Sequence, residues 1–307
     1  MRDTFSSGGF INRTRGKNRF DADDIVYEKH YKADTEWDLS DASDGLPEGD
    51  RWSTWDSAAP LERGPLPHPS WVVTDLGAVD TELGILKTGK EGDVFLIRRS
   101  VPGTDTATLL AAKRYRSSEH KMFHRDAGYT EGRQVAESRM QRAVANRSEF
   151  GRKVIAGQWA MSEFNALRTC YQWGLPVPYP VQISDTEILM EFIGDADGAA
   201  APRLANARPE GAELLSVWEQ LVEALVTLAQ RGFAHGDLSP YNLLVHQGRL
   251  VIIDLPQIVD VVVNPQGGEY LARDARNVGT WFAARGLTGG SVTPDDLPEL
   301  LRREAGR

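Results

Sequence analysis

The stretch His235-Gly236-Asp237-Leu238-Ser239-Pro240-Tyr241-Asn242, with Asp254 beyond it, decides how this chain reads. It sits between two patterns of different period. Upstream, Leu214, Val217, Trp218, Leu221, Leu225 and Leu228 recur at helical spacing, and Gly232 stops the run. Downstream, Leu243-Leu244-Val245 and Leu250-Val251-Ile252-Ile253 flank His246-Gln247-Gly248-Arg249, the pattern of a hairpin. Asp237, Asn242 and Asp254 therefore converge at the ends of that hairpin. Taken singly, Asp and Asn at such places cap turns. As a spaced trio behind a long helix they supply hard oxygen ligands and a proton acceptor, the set that phosphoryl transfer needs. Asn242 and Asp254 suit a metal, which leaves Asp237 to orient or deprotonate an attacking hydroxyl. His235 reads as a structural histidine holding the loop.

Further up the chain lie candidates for the nucleotide. Leu86-Lys87-Thr88-Gly89-Lys90-Glu91-Gly92-Asp93-Val94 places two glycines and a hydroxyl just before an apolar run. Backbone N–H groups of such a loop can cradle phosphate oxygens, with Lys87, Thr88, Gly89 and Lys90 beside them. The spacing is neither a Walker A loop nor G-x-G-x-x-G, so alone it also fits a plain hairpin turn. Lys113 ends the run Leu109-Leu110-Ala111-Ala112, where a lysine would pair with the α- and β-phosphates. Glu163 lies on a helix expected over 158–173, on the face of Trp159, and an ion pair with it would hold Lys113 in place. Met190-Glu191-Phe192-Ile193 ends another strand, and the main chain of Glu191 and Ile193 could meet adenine in an apolar slot.

The remaining sequence bounds the architecture. At 307 residues and 41% hydrophobic, the chain can build a sizeable core. The net charge of −9 gives no direct nucleic-acid signature. One cysteine, Cys170, excludes an internal disulfide and suits a reducing compartment. With no apolar run of about 18 residues and no secretory pattern at Met1–Gly9, the cytoplasm is the expected location. Residues 1–70 are polar, with Asp38, Asp41, Asp44, Glu48 and Asp50 clustered, and read as a largely disordered or loosely docked extension. Its aromatic residues Phe20, Tyr27, Tyr31, Trp37, Trp52 and Trp55 could dock short pieces onto the folded body. Residues 71–193 read as an N-lobe interrupted by a charged insert at 117–157, residues 194–290 as a C-lobe, and 291–307 as a tail. Strands dominate early and helices late, the order of an α+β protein with two lobes.

These pieces together resemble the RIO family of atypical protein kinases, from about Leu86 to Leu287. Lys87-Thr88-Gly89-Lys90-Glu91 is similar to the family's S-T-G-K-E loop, with Lys87 where serine is usual. The stretch 235–242 resembles its catalytic loop. Ile253-Asp254-Leu255-Pro256-Gln257-Ile258-Val259-Asp260 resembles its I-D-F-P-Q-x-V-D metal loop, with Leu255 replacing Phe, and Arg273-Asp274-Ala275-Arg276-Asn277 resembles the helix that follows. The resemblance implies a bilobal protein-kinase-like fold whose trimmed C-lobe lacks activation and peptide-docking segments. It implies ATP with Mg²⁺ or Mn²⁺, a Lys113–Glu163 pair, Asp237 as acid/base, and Asn242 and Asp254 on metal. It further implies that Asp254 can itself become phosphorylated, so that the chain could cycle as an ATPase. A link to ribosomal particles comes with the family. Two other readings stay open on the residues alone. One is a small-molecule phosphotransferase of the aminoglycoside or choline kinase kind, against which Pro256-Gln257 stands. The other is an idle nucleotide-binding scaffold, against which the complete set of site residues stands.

Overall fold

The computed structural model describes residues 50–116, 149–256 and 258–306. The acidic run before Asp50, the aromatic residues Phe20, Tyr27, Tyr31 and Trp37, most of the charged insert and Gln257 lie outside the described residues.

Six antiparallel strands form one sheet in the order β1-β2-β3-β4-β6-β5. They are β1 (Asp50–Trp52), β2 (Val79–Thr88), β3 (Gly92–Ser100), β4 (Ala107–Tyr115), β5 (Pro180–Ser184) and β6 (Glu187–Glu191). β3 and β4 are the strands expected from their apolar runs. β2 left little trace in the sequence because most of its residues beyond Asp80 face solvent on both sides. Its pairing with β3 also slips at Glu82/Gly84 and Ile85/Lys87, which breaks any alternation.

Helix α1 (Glu149–Gln172) packs on this sheet and starts earlier than residue 158. Its buried face is Ala156, Ala160, Phe164, Leu167 and Cys170. Small alanines at two of those positions mute the hydrophobic signal among the charges of 149–157. Burial pushes the Cys170 thiol up to about 12.

The second lobe is built on α2 (Gly211–Gln230), whose apolar stripe is buried from Leu214 to Ala229. Strand β7 (Phe233–Ala234) pairs with β10 (Val259–Asp260), and β8 (Leu243–His246) with β9 (Arg249–Ile252). Helices α3 (Gly267–Ala284) and α4 (Leu297–Glu304) close the core, with Leu297 and Leu301 of α4 buried. Residues 291–307 thus contain a helix, too short at eight residues for its period to show. Trp218 is fully buried against Phe282 with ring centroids 5.0 Å apart, and its indole N–H donates to Val292 O at 2.8 Å. Replacing such a side chain by alanine removes about 3–5 kcal/mol.

The last part of the N-terminal extension is ordered onto the first lobe. β1 pairs with β2 in the register Asp50↔Thr81, and Trp55 is buried among Ile97, Leu110, Tyr179 and Leu189.

Candidate active site

Lys113 lies on β4, Glu163 on α1, and Asp254 just after β9. The Lys113 ammonium holds both carboxylates, at 2.8 Å to Glu163 Oε1, 2.7 Å to Glu163 Oε2 and 2.8 Å to Asp254 Oδ1. The Tyr115 hydroxyl donates to Glu163 Oε2 from two residues further along β4. Glu163 is 2% exposed, Lys113 12% and Asp254 31%, so the cluster opens toward solvent at Asp254. Burial alone would lower Lys113, but Glu163 and then Asp254 outweigh it and hold the ammonium above its ordinary value. Burial acts upward on Asp254, and the Lys113 charge and hydrogen bond override it, keeping the carboxyl below its usual range. Asp254 adopts φ 66°, a left-handed backbone that non-glycine residues rarely take and that functional sites often hold.

The loop 235–242 is fixed from beneath. His235, Gly236 and Leu238 are buried, while Asp237 between them is exposed. Asp274, 1% exposed on α3, accepts the Gly236 N–H at 2.7 Å and the Leu238 N–H at 3.1 Å. Both amides flanking Asp237 are therefore tied to one carboxylate, which aims the Asp237 side chain outward. Arg273 donates to Gly236 O, and Asn277 Nδ2 to Leu238 O at 3.1 Å. Asn242 Nδ2 donates to Asp237 O at 3.0 Å, and the Ile253 N–H donates to Asn242 O at 2.9 Å. That last bond couples the loop to the residue before Asp254. His235 Nε2 lies 3.3 Å from Ile253 O, a structural contact of the same kind.

The glycine loop between β2 and β3 reaches this cluster with two side chains. Desolvation and then Arg203 hold Lys87 low, while Asp254 raises it; desolvation and then Asp254 raise Glu91. Thr88 and Lys90 stay exposed at the loop. A Cβ on Gly92 would come within 2.2 Å of Arg114 O, so that glycine is required where β3 meets β4. Glu191 turns its carboxylate away from the cluster, accepting the Tyr179 N–H at 3.0 Å, so only its main chain can serve a ligand. The Ile193 carbonyl is taken by the Ala201 N–H at 2.9 Å.

The oxygen donors fit a divalent hard cation bound together with phosphates. Among the described residues no group of three or more His, Cys, Asp or Glu could hold a metal by itself. Asn242 and Asp254 would supply two protein oxygens and nucleotide phosphates the rest, the pattern Mg²⁺ favours.

A family model described as RIO domain matches residues 103–297. The chain belongs to the RIO domain family. This RIO domain is 32% identical over 230 residues to "RIO-type serine/threonine-protein kinase Rio1" of Haloferax volcanii, covering 75% of the chain and 72% of that relative. It is 33% identical over 210 residues to "Serine/threonine-protein kinase RIO1" of Caenorhabditis elegans, where it spans 68% of itself but 38% of the relative. Among solved structures, the Rio2 kinase from Chaetomium thermophilum superposes with a TM-score of 0.51 at 20% identity, over 71% of this chain and 63% of that one. Its ADP/Mg²⁺-phosphoaspartate complex gives a TM-score of 0.50 at 20% identity, over 71% and 62%. The RIO domain here is thus an α+β, two-lobed kinase fold. Only residues 255–266 separate Asp254 from α3, which leaves the C-lobe trimmed of an activation segment.

Sequence reasoning gave Asp274 no role of its own and passed over Tyr115. The signal for Asp274 was present: it shares the buried stripe of α3 with Leu271, Ala275, Val278 and Phe282. A carboxylate on a core face must have partners, and its position invites a search for them. Tyr115 carried no such mark.

Proposed function

We propose that this chain is a RIO-type atypical serine/threonine-protein kinase that uses ATP and a divalent cation. The observation that carries the reading is Lys113 bridging Glu163 and Asp254, beside a loop whose Asp237 is held outward by Asp274. Lys113, positioned by Glu163, receives the α- and β-phosphates of ATP. The glycine loop, through Lys87, Thr88, Gly89 and Lys90, covers the phosphates, and the main chain of Glu191 and Ile193 meets the adenine. Asn242 and Asp254 would hold Mg²⁺ or Mn²⁺, which when bound neutralises charge on the phosphates. Asp237 orients the acceptor hydroxyl and takes its proton as the γ-phosphoryl group moves.

The ADP/Mg²⁺-phosphoaspartate complex of the Chaetomium thermophilum Rio2 kinase favours a second use of the same residues. An Asp254 carboxylate oxygen attacks the γ-phosphorus, the bond to the bridging oxygen breaks, and ADP leaves with that electron pair. Hydrolysis of the acyl phosphate then restores Asp254, and the net reaction is ATP hydrolysis. Buried Cys170, unpaired by any disulfide, suits the cytoplasm. No helix among the described residues is long and apolar enough to cross a membrane. Association with ribosomal particles is part of the proposal and is checked by cosedimentation.

The deciding experiment incubates the protein with γ-labelled ATP and Mg²⁺, alongside Asp237→Ala and Asp254→Ala. Label that resists hydroxylamine and disappears in Asp237→Ala supports hydroxyl transfer. Label released by hydroxylamine and absent from Asp254→Ala supports the aspartyl phosphate. A wild-type protein that neither binds nor turns over ATP overturns both.

A further inference from the structure

The ordered part of the N-terminal extension reaches Glu191, at the end of the proposed adenine strand, through Tyr179. Tyr179, fully buried just before β5 between Pro178 and Pro180, is enclosed by Trp71 at 5.8 Å, Tyr171 at 5.0 Å and His68 at 6.4 Å between ring centroids. His68 in turn lies edge-on to Trp55 at 5.1 Å. The Tyr179 hydroxyl donates to Pro65 O at 2.9 Å, and His68 Nδ1 lies 2.7 Å from the Tyr179 hydroxyl oxygen. Because the hydroxyl proton is committed to Pro65, the His68 Nδ1–H is the donor in that second bond. The backbone of Tyr179 is bonded twice to Glu191: Glu191 N–H to Tyr179 O at 2.8 Å, and Tyr179 N–H to the Glu191 carboxylate at 3.0 Å. A continuous chain of hydrogen bonds thus runs from His68 and Pro65 through Tyr179 to Glu191.

The approach is also sterically specified. The Gly64 N–H donates to Val181 O at 2.9 Å, and a Cβ at Gly64 would fall 2.0 Å from Pro180 O and 2.4 Å from the Tyr179 hydroxyl. The segment therefore lies against β5 at one distance only, fixed by a residue without a side chain.

We infer that residues 54–72 are a buttress for the nucleotide hinge, with His68 and Tyr179 as positioning residues that set the main chain of Glu191 and Ile193 for adenine. The inference rests on the hinge role proposed above. Neither residue touches the phosphates or the acceptor, so the buttress governs nucleotide affinity and leaves the chemical step alone. Affinity for the phosphate end, read by Lys113 and the glycine loop, is independent of it.

The test uses the full-length protein and four variants: Tyr179→Phe, His68→Ala, His68→Asn and, as a core control, Leu301→Ala on α4. ADP and inorganic tripolyphosphate are the two probes, the second lacking adenine. Losing the hydrogen bond should weaken ADP binding and raise the ATP KM about fivefold in Tyr179→Phe and His68→Ala, with kcat within about twofold. Tripolyphosphate binding should not change, and His68→Asn, which restores an N–H donor, should recover most of the ADP affinity. Leu301→Ala should lower the unfolding midpoint without a KM shift. Equal ADP affinity in wild type, Tyr179→Phe and His68→Ala overturns the buttress, as does a parallel loss of ADP and tripolyphosphate binding. Should Tyr179→Phe fail to fold, the His68 pair decides alone. A wild type that binds tripolyphosphate but not ADP removes the hinge reading itself, an outcome distinct from failure of the buttress.

Discussion

Two charge clusters stand on the first-lobe sheet, and they are built to opposite ends. Arg99 on β3 is fully buried, and its guanidinium reaches Asp80 through two bonds of 2.6 and 2.9 Å and Gln182 through one of 2.8 Å. Gln182 passes the network on to Thr54 at 2.6 Å. Asp80 and Arg99 face each other directly in the β2–β3 register. The planar fork meets the carboxylate with two bonds and a carbonyl oxygen with a third, and the Arg51 guanidinium stands 3.8 Å from Asp80 Oδ2, so the charge is matched without a ligand. The cluster of Lys113, Glu163 and Asp254 uses a lysine instead, a point charge that can move between acceptors. It also leaves Asp254 partly in solvent. A buried ion set that is complete serves the fold, whereas one with an open end is poised to exchange a partner for a ligand.

That contrast is most sharply tested where its effect is largest. Lys113→Met should lower turnover by about 10²–10³-fold, the range for removing one group aimed at developing charge, while shifting the unfolding midpoint less than Arg99→Met, because the Tyr115 hydroxyl still donates to Glu163 and Asp254 opens to solvent. Equal losses of stability in the two variants would erase the distinction. Arg99→Met, by leaving the buried Asp80 carboxylate with only the part-exposed Arg51 guanidinium at 3.8 Å, should remove about 3 kcal/mol in urea unfolding, the low end for breaking a buried ion pair, with activity per folded molecule kept. Finally, the double change Arg99→Met with Asp80→Leu should return stability to within about 1 kcal/mol of wild type, since apolar side chains of similar volume can replace a buried ion pair. A double variant as unstable as Arg99→Met would mean that the pair is needed for more than mutual neutralisation.

The two clusters also differ in how far the sequence revealed them. Lys113, Glu163, Asp237, Asn242 and Asp254 occur in an order and spacing that chemistry explains, and the helix and hairpin around Asp237 follow from periodicity. Arg99, Asp80 and Gln182 sit on three strands, and no local pattern links residues whose contact exists only once the sheet has formed. Asp274 falls between these cases, since its place on an apolar stripe was visible but its partners were not. β2 escaped notice because exposure on both faces removes alternation, and the early turns of α1 because alanines filled the contact positions. The aromatic character of Trp55 suits docking, yet the polar composition around it conceals where the ring goes.

The path of residues 50–64 has a practical meaning for where the folded body begins. β1 pairs with β2 at one margin of the sheet, and the Gly64 N–H bonds to β5 at the other, with Arg63 bridging Gln182 beside it. One short run of chain thus covers part of both borders. Composition places the start of the folded body at residue 71, but a fragment cut there would bare the β5 border, unroof Tyr179 and empty the space of the Trp55 indole. Open strand borders and apolar hollows invite self-association. Residues whose composition reads as a loosely docked extension are, in this protein, part of the wall of its first lobe.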